Sequence, residues 1–234
     1  MGRRVFLLTR RQPRRRQIRC ASVNARGWSH IPATYDAVAG EYATTFSDEL
    51  DGKPFDRDLL DGFARDAAGD GLVCDLGCGP GQVGAYLAER GCDVIGVDIS
   101  PGMLRAAGER HPNLRFQLGD MRALPLADAS CVAVACFYSL IHLPRAEIPT
   151  ALAEIARVLR TNGRLLLAVH GGEGEAHVDG WFGHPVTVDL TLFGANELTG
   201  PLHDAGFADV QATQREPYPS EHQTTRLYIQ ATRR

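Results

Sequence analysis

The residues best placed to do chemistry are a glycine turn and three carboxylates. In Leu72 to Gly84 (LVCDLGCGPGQVG) an apolar run ends in Asp75, passes Gly77, Gly79 and Gly81, and enters a helix near Gln82. Glycines at alternate positions let a ligand lie against backbone, because no Cβ stands in the way. Seventeen residues after Gly81 a second apolar run ends in Asp98. There a doubly wound sheet offers a carboxylate to both hydroxyls of a ribose. The competing use of Asp98 is helix capping, but Ser100 before Pro101 is the better cap, which leaves Asp98 for a ligand. A third run ends in Gly119-Asp120-Met121, giving a carboxylate able to accept from an adenine amino group. Ile99, Met103 and Met121 are apolar or polarisable groups able to sandwich the purine.

The spacing argues against phosphate ligands. GxGxxG needs a third glycine where Gln82 stands, and Pro80 stiffens the turn. There is no GxxxxGK[ST], and the one lysine, Lys53, lies outside any glycine loop. Adenosine without a diphosphate fits better. Two alternatives share the glycine turn: an NAD(P)-dependent oxidoreductase, and a non-catalytic nucleoside-binding regulator.

The elements that must position these residues follow from periodicity. Tyr35, Val38, Tyr42 and Phe46, then Phe55, Leu59, Leu60 and Phe63 after Pro54, mark two short helices. Leu72 to Leu76, Cys92 to Asp98, Leu114 to Leu118, Cys131 to Phe137 and Arg164 to Val169 read as strands alternating with helices, which is a parallel, doubly wound α/β sheet. Ile148, Leu152, Ile155, Val158 and Leu159 form one helix face, with Asn162-Gly163 as its C-terminal turn. Beyond Val169, Val186 to Phe193 reads as a short strand and Asn196 to Ala205 as a helix. Ala208 to Gln214 and Thr224 to Ala231 read as a hairpin, so one strand must run antiparallel to the rest.

Charge narrows the partners. Of 25 basic residues nine precede Gly27, while the first acidic residue is Asp36, so the rest carries 16 basic against 28 acidic residues. Such a body repels a phosphate backbone, and no nucleic-acid partner is expected. Residues 1–30, Arg-rich and free of carboxylates, are expected to be a disordered tail, residues 31–66 a helical lid, and residues 67–234 the main domain. The apolar stretch Cys131 to Leu143, free of charge and proline, has 13 residues, short of the ~20 a membrane helix needs. Six cysteines without a CxxC pair read as reduced thiols, and the expected location is cytoplasmic, without a membrane association.

The segments DLGCGPG, GVDIS, GDM, FYSLIHLP and RVLRTNGRLLL together resemble class I S-adenosylmethionine-dependent methyltransferases, over about Thr34 to Arg234. Thr161-Asn162-Gly163 departs from the Pro-Gly-Gly of many relatives, in a turn remote from the ligand. The resemblance implies a Rossmann-like, seven-stranded sheet in the order 3-2-1-4-5-7-6 with strand 7 antiparallel, an N-terminal helical lid (TYDAVAGEY), and S-adenosyl-L-methionine as cofactor. It places Asp75, Gly77 and Gly79, within the turn closed by Gly81, around the amino acid end of that cofactor. Asp98 then takes the ribose, Asp120 and Met121 the adenine, and the Phe137 carbonyl the ammonium. Tyr35 and Tyr42 face the cofactor carboxylate or the acceptor.

A sulfonium is already an activated leaving group, so no metal and no covalent nucleophile are expected, and placement is most of the catalysis. A hydroxyl or carbon acid as acceptor benefits from a base, for which His142 and His170, on the carboxyl edge of the sheet, are the candidates, though either also suits packing. The glycine-rich connection Gly171 to Pro185 (GGEGEAHVDGWFGHP) carries His177, Trp181 and His184, expected to cover a small-molecule acceptor. The recurrence of His170, His177 and His184 every seven residues lacks the close ligand pairs of a zinc site.

Overall fold

The computed structural model describes residues 28–234. The Arg-rich tail, except its last three residues, and Cys20 lie outside the described residues. Two helices, α1 (Ile31–Phe46) and α2 (Pro54–Ala67), precede an alternating succession. It runs β1 (Leu72–Leu76), α3 (Gln82–Ala88), β2 (Asp93–Asp98), α4 (Pro101–Arg110), β3 (Arg115–Leu118), β4 (Cys131–Phe137), α5 (Ile148–Val158) and β5 (Leu159–Gly171). Then come β6 (Glu175–Trp181), β7 (His184–Thr191), α6 (Thr199–Asp204), β8 (Phe207–Arg215) and β9 (Thr225–Arg233).

The large sheet has seven strands in the order β3-β2-β1-β4-β5-β9-β8. The first five are parallel, and β9 runs antiparallel to both β5 and β8. This is the expected Rossmann-like topology, with β8 and β9 as its sixth and seventh strands. Alternation along the strands sends Cys74, Leu76, Val134 and Cys136 into one apolar cluster with α5, and Val73, Ala133 and Ala135 into the other with α2 and α3. Both faces of β4 are covered, which is why its sequence is apolar without alternation. Ser100 caps α4 as expected, its hydroxyl accepting from the Met103 N–H at 3.0 Å.

Two local expectations need correction. The connection from Gly171 to Pro185 is not a loop: β6 and β7 form a separate two-stranded hairpin. Its turn, Phe182-Gly183, has φ of 49° and 85°, the left-handed pair that matches the twist of a two-residue hairpin. Asn162-Gly163 does not end the helix either. α5 stops at Val158, and Asn162, at φ 62°, lies inside β5 where its register against β4 shifts.

Helix α1 and the hairpin cover the carboxyl edge together. The Asp36 carboxylate accepts from the Ser100 hydroxyl and from the Gly102 N–H at 2.7 Å, fixing α1 on the start of α4. The Thr34 hydroxyl donates to the Thr187 carbonyl at 2.8 Å, fixing β7 on α1. Among the described residues no helix is long and apolar enough to cross a membrane.

Candidate functional site

Beneath this cover lies a cavity of about 890 Å³. Sheet order dictates how its wall reads across the edge: Asp120 after β3, Asp98 at the end of β2, Asp75 in β1, Phe137 at the end of β4, His170 near the end of β5, and Arg226 at the start of β9. Because β9 is antiparallel, its first residues reach the edge where the parallel strands finish.

The glycine turn opens on the cavity. Gly77 and Gly79 have φ of 70° and 52°, a region that costs other residues steric strain. A Cβ on Gly77 would stand 2.1 Å from that of Ser139, and one on Gly79 would meet nothing nearer than Tyr42, at 4.0 Å, so it would occupy open cavity. Gly81 is not on the wall; it precedes α3 at φ 87° and packs beside His111 and Phe116.

The two innermost carboxylates are held by backbone. One Asp98 oxygen accepts from the Gly79 N–H and the other from the Ser100 N–H, each at 2.8 Å. Each oxygen keeps a further lone pair. Burial pushes the Asp98 carboxyl up, and these N–H donors offset part of the shift. Asp75, 1% exposed, accepts from the Gly84 N–H at 2.8 Å, and burial raises its carboxyl to about 7. Asp120 differs from expectation. Arg122 binds both its oxygens, at 2.9 and 3.1 Å from Nε, and holds the carboxyl below its usual range. Ile99, Met103 and Met121 line the cavity beside it.

The cover contributes an aromatic wall. Trp181 sits edge-on to Tyr35 and Tyr42, with ring centroids 5.5 and 5.4 Å apart. Burial raises both tyrosine hydroxyls well above their ordinary range. His142 lies between cover and floor. Its Nδ1 is 3.0 Å from the Asp189 carbonyl, which only an N–H can satisfy, so Nε2 is the lone-pair nitrogen and accepts from the Tyr35 hydroxyl at 2.6 Å. Burial lowers the imidazole to about 4, so it is neutral near pH 7.

His170 has the opposite tautomer. The Thr224 hydroxyl oxygen accepts from Arg226 at 2.8 Å, and since its own proton meets an acceptor in His170 Nδ1, 2.7 Å away, the imidazole carries its proton on Nε2. Burial, then the neighbouring Arg226, keeps His170 well below its ordinary range.

His177 and His184 do not join the site. His177 is exposed and pairs with Asp189, which raises it, and His184 pairs with Glu41 at 3.2 Å on the outer side of α1. Among the described residues no three His, Cys, Asp or Glu side chains are grouped to hold a metal. The sequence reading missed a charged wall that also lines the cavity: Lys53, Glu49, Glu221, His222 and Arg226, with Tyr138. Only Lys53 carried a signal, as the sole lysine of the chain.

The geometry can be set beside known proteins. A family profile described as a methyltransferase domain matches residues 73–163. The chain is 30% identical over 209 residues to the malonyl-[acyl-carrier protein] O-methyltransferase of Serratia marcescens, covering 82% of this chain and 74% of that one. It is 41% identical over 96 residues to the demethylmenaquinone methyltransferase of Beutenbergia cavernae, covering 41% of this chain and 39% of that one. The magnesium protoporphyrin IX methyltransferase of Synechocystis, solved with S-adenosylmethionine bound, superposes with a TM-score of 0.68 at 18% identity, over 92% of this chain and all of the other. The Serratia relative carries the decision, since its likeness extends over most of its own length. The chain belongs to the class I S-adenosylmethionine-dependent methyltransferases.

Proposed function

We propose that the cavity holds S-adenosylmethionine against the β3-β2-β1 half of the edge and a small-molecule acceptor against the β4-β5 half, beneath the aromatic cover. The observation that carries this reading is Asp98: a buried carboxylate clamped by two backbone N–H groups, with a lone pair free on each oxygen for the two hydroxyls of a ribose. Gly77 and Gly79 leave room for the amino acid end beside Asp75, and Phe137 ends β4 at the same place. Ile99, Met103 and Met121 enclose the adenine, whose amino group competes with Arg122 for Asp120.

When bound, the sulfonium supplies a methyl group that needs no further activation. The residues of the chain then position the acceptor. The Tyr35 hydroxyl donates a hydrogen bond to His142 Nε2, so its oxygen lone pairs are left to accept from an acceptor hydroxyl. In this arrangement Tyr35 touches the substrate and His142 acts through it. Tyr42 and Trp181 pack on the acceptor and keep water out. Relatives of similar identity are named for different acceptors, so acceptor choice lies in the walls beyond the glycine turn. The oxidoreductase and regulator alternatives draw no support from these relatives. Five buried free thiols suit a reducing compartment, and we place the enzyme in the cytoplasm.

Calorimetry with S-adenosylhomocysteine tests the proposal. The wild type should bind and Asp98→Ala should bind about 100-fold more weakly, the equivalent of two hydrogen bonds to a charged group. Absence of binding by the wild type refutes it. Incubation with labelled cofactor and a cell extract, followed by mass spectrometry of the labelled product, identifies the acceptor.

A further inference from the structure

The β5-β9 end of the cavity brings the donors of Lys53, His170 and Arg226 together with two carboxylates, Glu49 and Glu221. Lys53, over the Tyr138 ring at 5.3 Å, has three N–H donors and one close partner, Glu49 at 2.6 Å. Glu221 stands 3.6 Å from Lys53 and 3.6 Å from Arg226, outside hydrogen-bond range. Arg215, at 2.6 and 3.0 Å, and the Tyr218 N–H, at 2.7 Å, fill both sites of one oxygen and one site of the other. Asp56 is engaged by Arg215 at 2.7 Å and by the Tyr228 hydroxyl at 2.9 Å. Two of the three Lys53 N–H groups have no partner within hydrogen-bond range, and neither does the buried Arg226 Nε.

Into the same space His170 presents Nε2–H, fixed by Thr224. Burial, then Arg226, His222, His142 and Lys53, act to keep its imidazole neutral. The acids here are Glu49, which pairs with Lys53 and accepts from the Gln82 amide, and Glu221 and Asp56, which pair with Arg215.

We infer that the methyl acceptor carries a carboxylate, seated between Lys53 Nζ and His170 Nε2–H at the β5-β9 end of the cavity. The carboxylate supplies the missing acceptors, and Arg226 stabilises its charge from behind. β5 is two strands from β1, so the seat lies about 10 Å along the edge from the glycine turn. An acceptor long enough to span β4 thus places its carboxylate on Lys53 while a second nucleophile faces Tyr35. The inference rests on the methyltransferase reading and adds the class of its acceptor.

The test uses acid and amide pairs: 3-(4-hydroxyphenyl)propanoate with its amide, and 4-hydroxybenzoate with its amide, titrated at pH 7.5 into the full-length protein saturated with S-adenosylhomocysteine. In at least one pair the acid should bind tenfold or more tighter than the amide. Lys53→Gln should bring that ratio to about one, and Glu49→Gln, which removes the competing carboxylate, should raise it. Saturation with S-adenosylhomocysteine is measured first on each protein, so loss of cofactor binding marks failure of the methyltransferase reading. Cofactor binding with no acid preferred over its amide overturns the carboxylate seat alone. So does a preference that survives Lys53→Gln, or one that falls in Glu49→Gln.

Discussion

Replacing Asp75 by Asn separates what this carboxylate costs the fold from what it does for binding. Asp75 is 1% exposed, accepts one backbone N–H, and has its carboxyl raised from 3.8 to about 7. A folded-state value above the unfolded one means that the contribution to stability is full below about 3.8 and is lost as pH rises to 7. At 1.36 kcal/mol per unit the loss is about 4 kcal/mol, of which about 2 falls between pH 5 and pH 7. Asn cannot ionise, yet its carbonyl can still accept from the Gly84 N–H. Ligand-free Asp75→Asn should therefore gain about 2 kcal/mol relative to wild type on going from pH 5 to pH 7, measured by urea unfolding at each pH. The same variant should bind S-adenosylhomocysteine about 10- to 100-fold more weakly, because a charged hydrogen-bond partner is lost. A stability difference that does not change with pH refutes the burial argument. Unchanged affinity removes Asp75 from the amino acid end of the cofactor.

Other perturbations read different parts of the site. Gly77→Ala sets a Cβ 2.1 Å from that of Ser139 at φ 70°, so a loss of about 2–4 kcal/mol in chemical denaturation is expected, together with loss of cofactor binding. Tyr35→Phe leaves His142 Nε2 buried without a donor; stability should fall by about 1–3 kcal/mol, and turnover on a hydroxyl acceptor should drop while S-adenosylhomocysteine affinity holds. Trp181→Ala takes out the ring shared by Tyr35 and Tyr42, and limited proteolysis should cut the hairpin faster, with acceptor binding weakened more than cofactor binding.

What the sequence made legible was local. The glycine turn and the acidic strand ends lie beside their own strands, so spacing alone orders them, whereas the strand order came from the resemblance, with which the hairpin of the last two strands agrees. The β6-β7 hairpin was not legible because its turn, Phe182-Gly183, places a bulky residue at a left-handed position where Asn or Gly is the usual signal. The charged wall was hidden for another reason. Lys53, His170, Glu221 and Arg226 come from distant stretches of the chain, and only the reversed direction of β9 carries Arg226 to the edge where β5 finishes. His177 and His184 were misplaced for want of the hairpin: as strand residues they sit on its outer side, against Asp189 and Glu41.

Two shifts on the cofactor and acceptor walls oppose each other in pH. His142 is lowered from 6.5 to about 4, so its contribution to stability is present above 6.5 and is lost as pH falls toward 4, by about 3 kcal/mol. Asp75 loses its contribution in the other direction, between 3.8 and 7. Across the range between, at least one of them is ionised more readily in the unfolded chain than in the fold. The ligand-free site is therefore a standing cost to stability at every pH from about 4 to 7. A ligand that brings a positive charge to Asp75 relieves the part that grows with pH. Binding should then stabilise the protein more at pH 7 than at pH 5, so burial without a partner converts folding energy into affinity for a cationic cofactor.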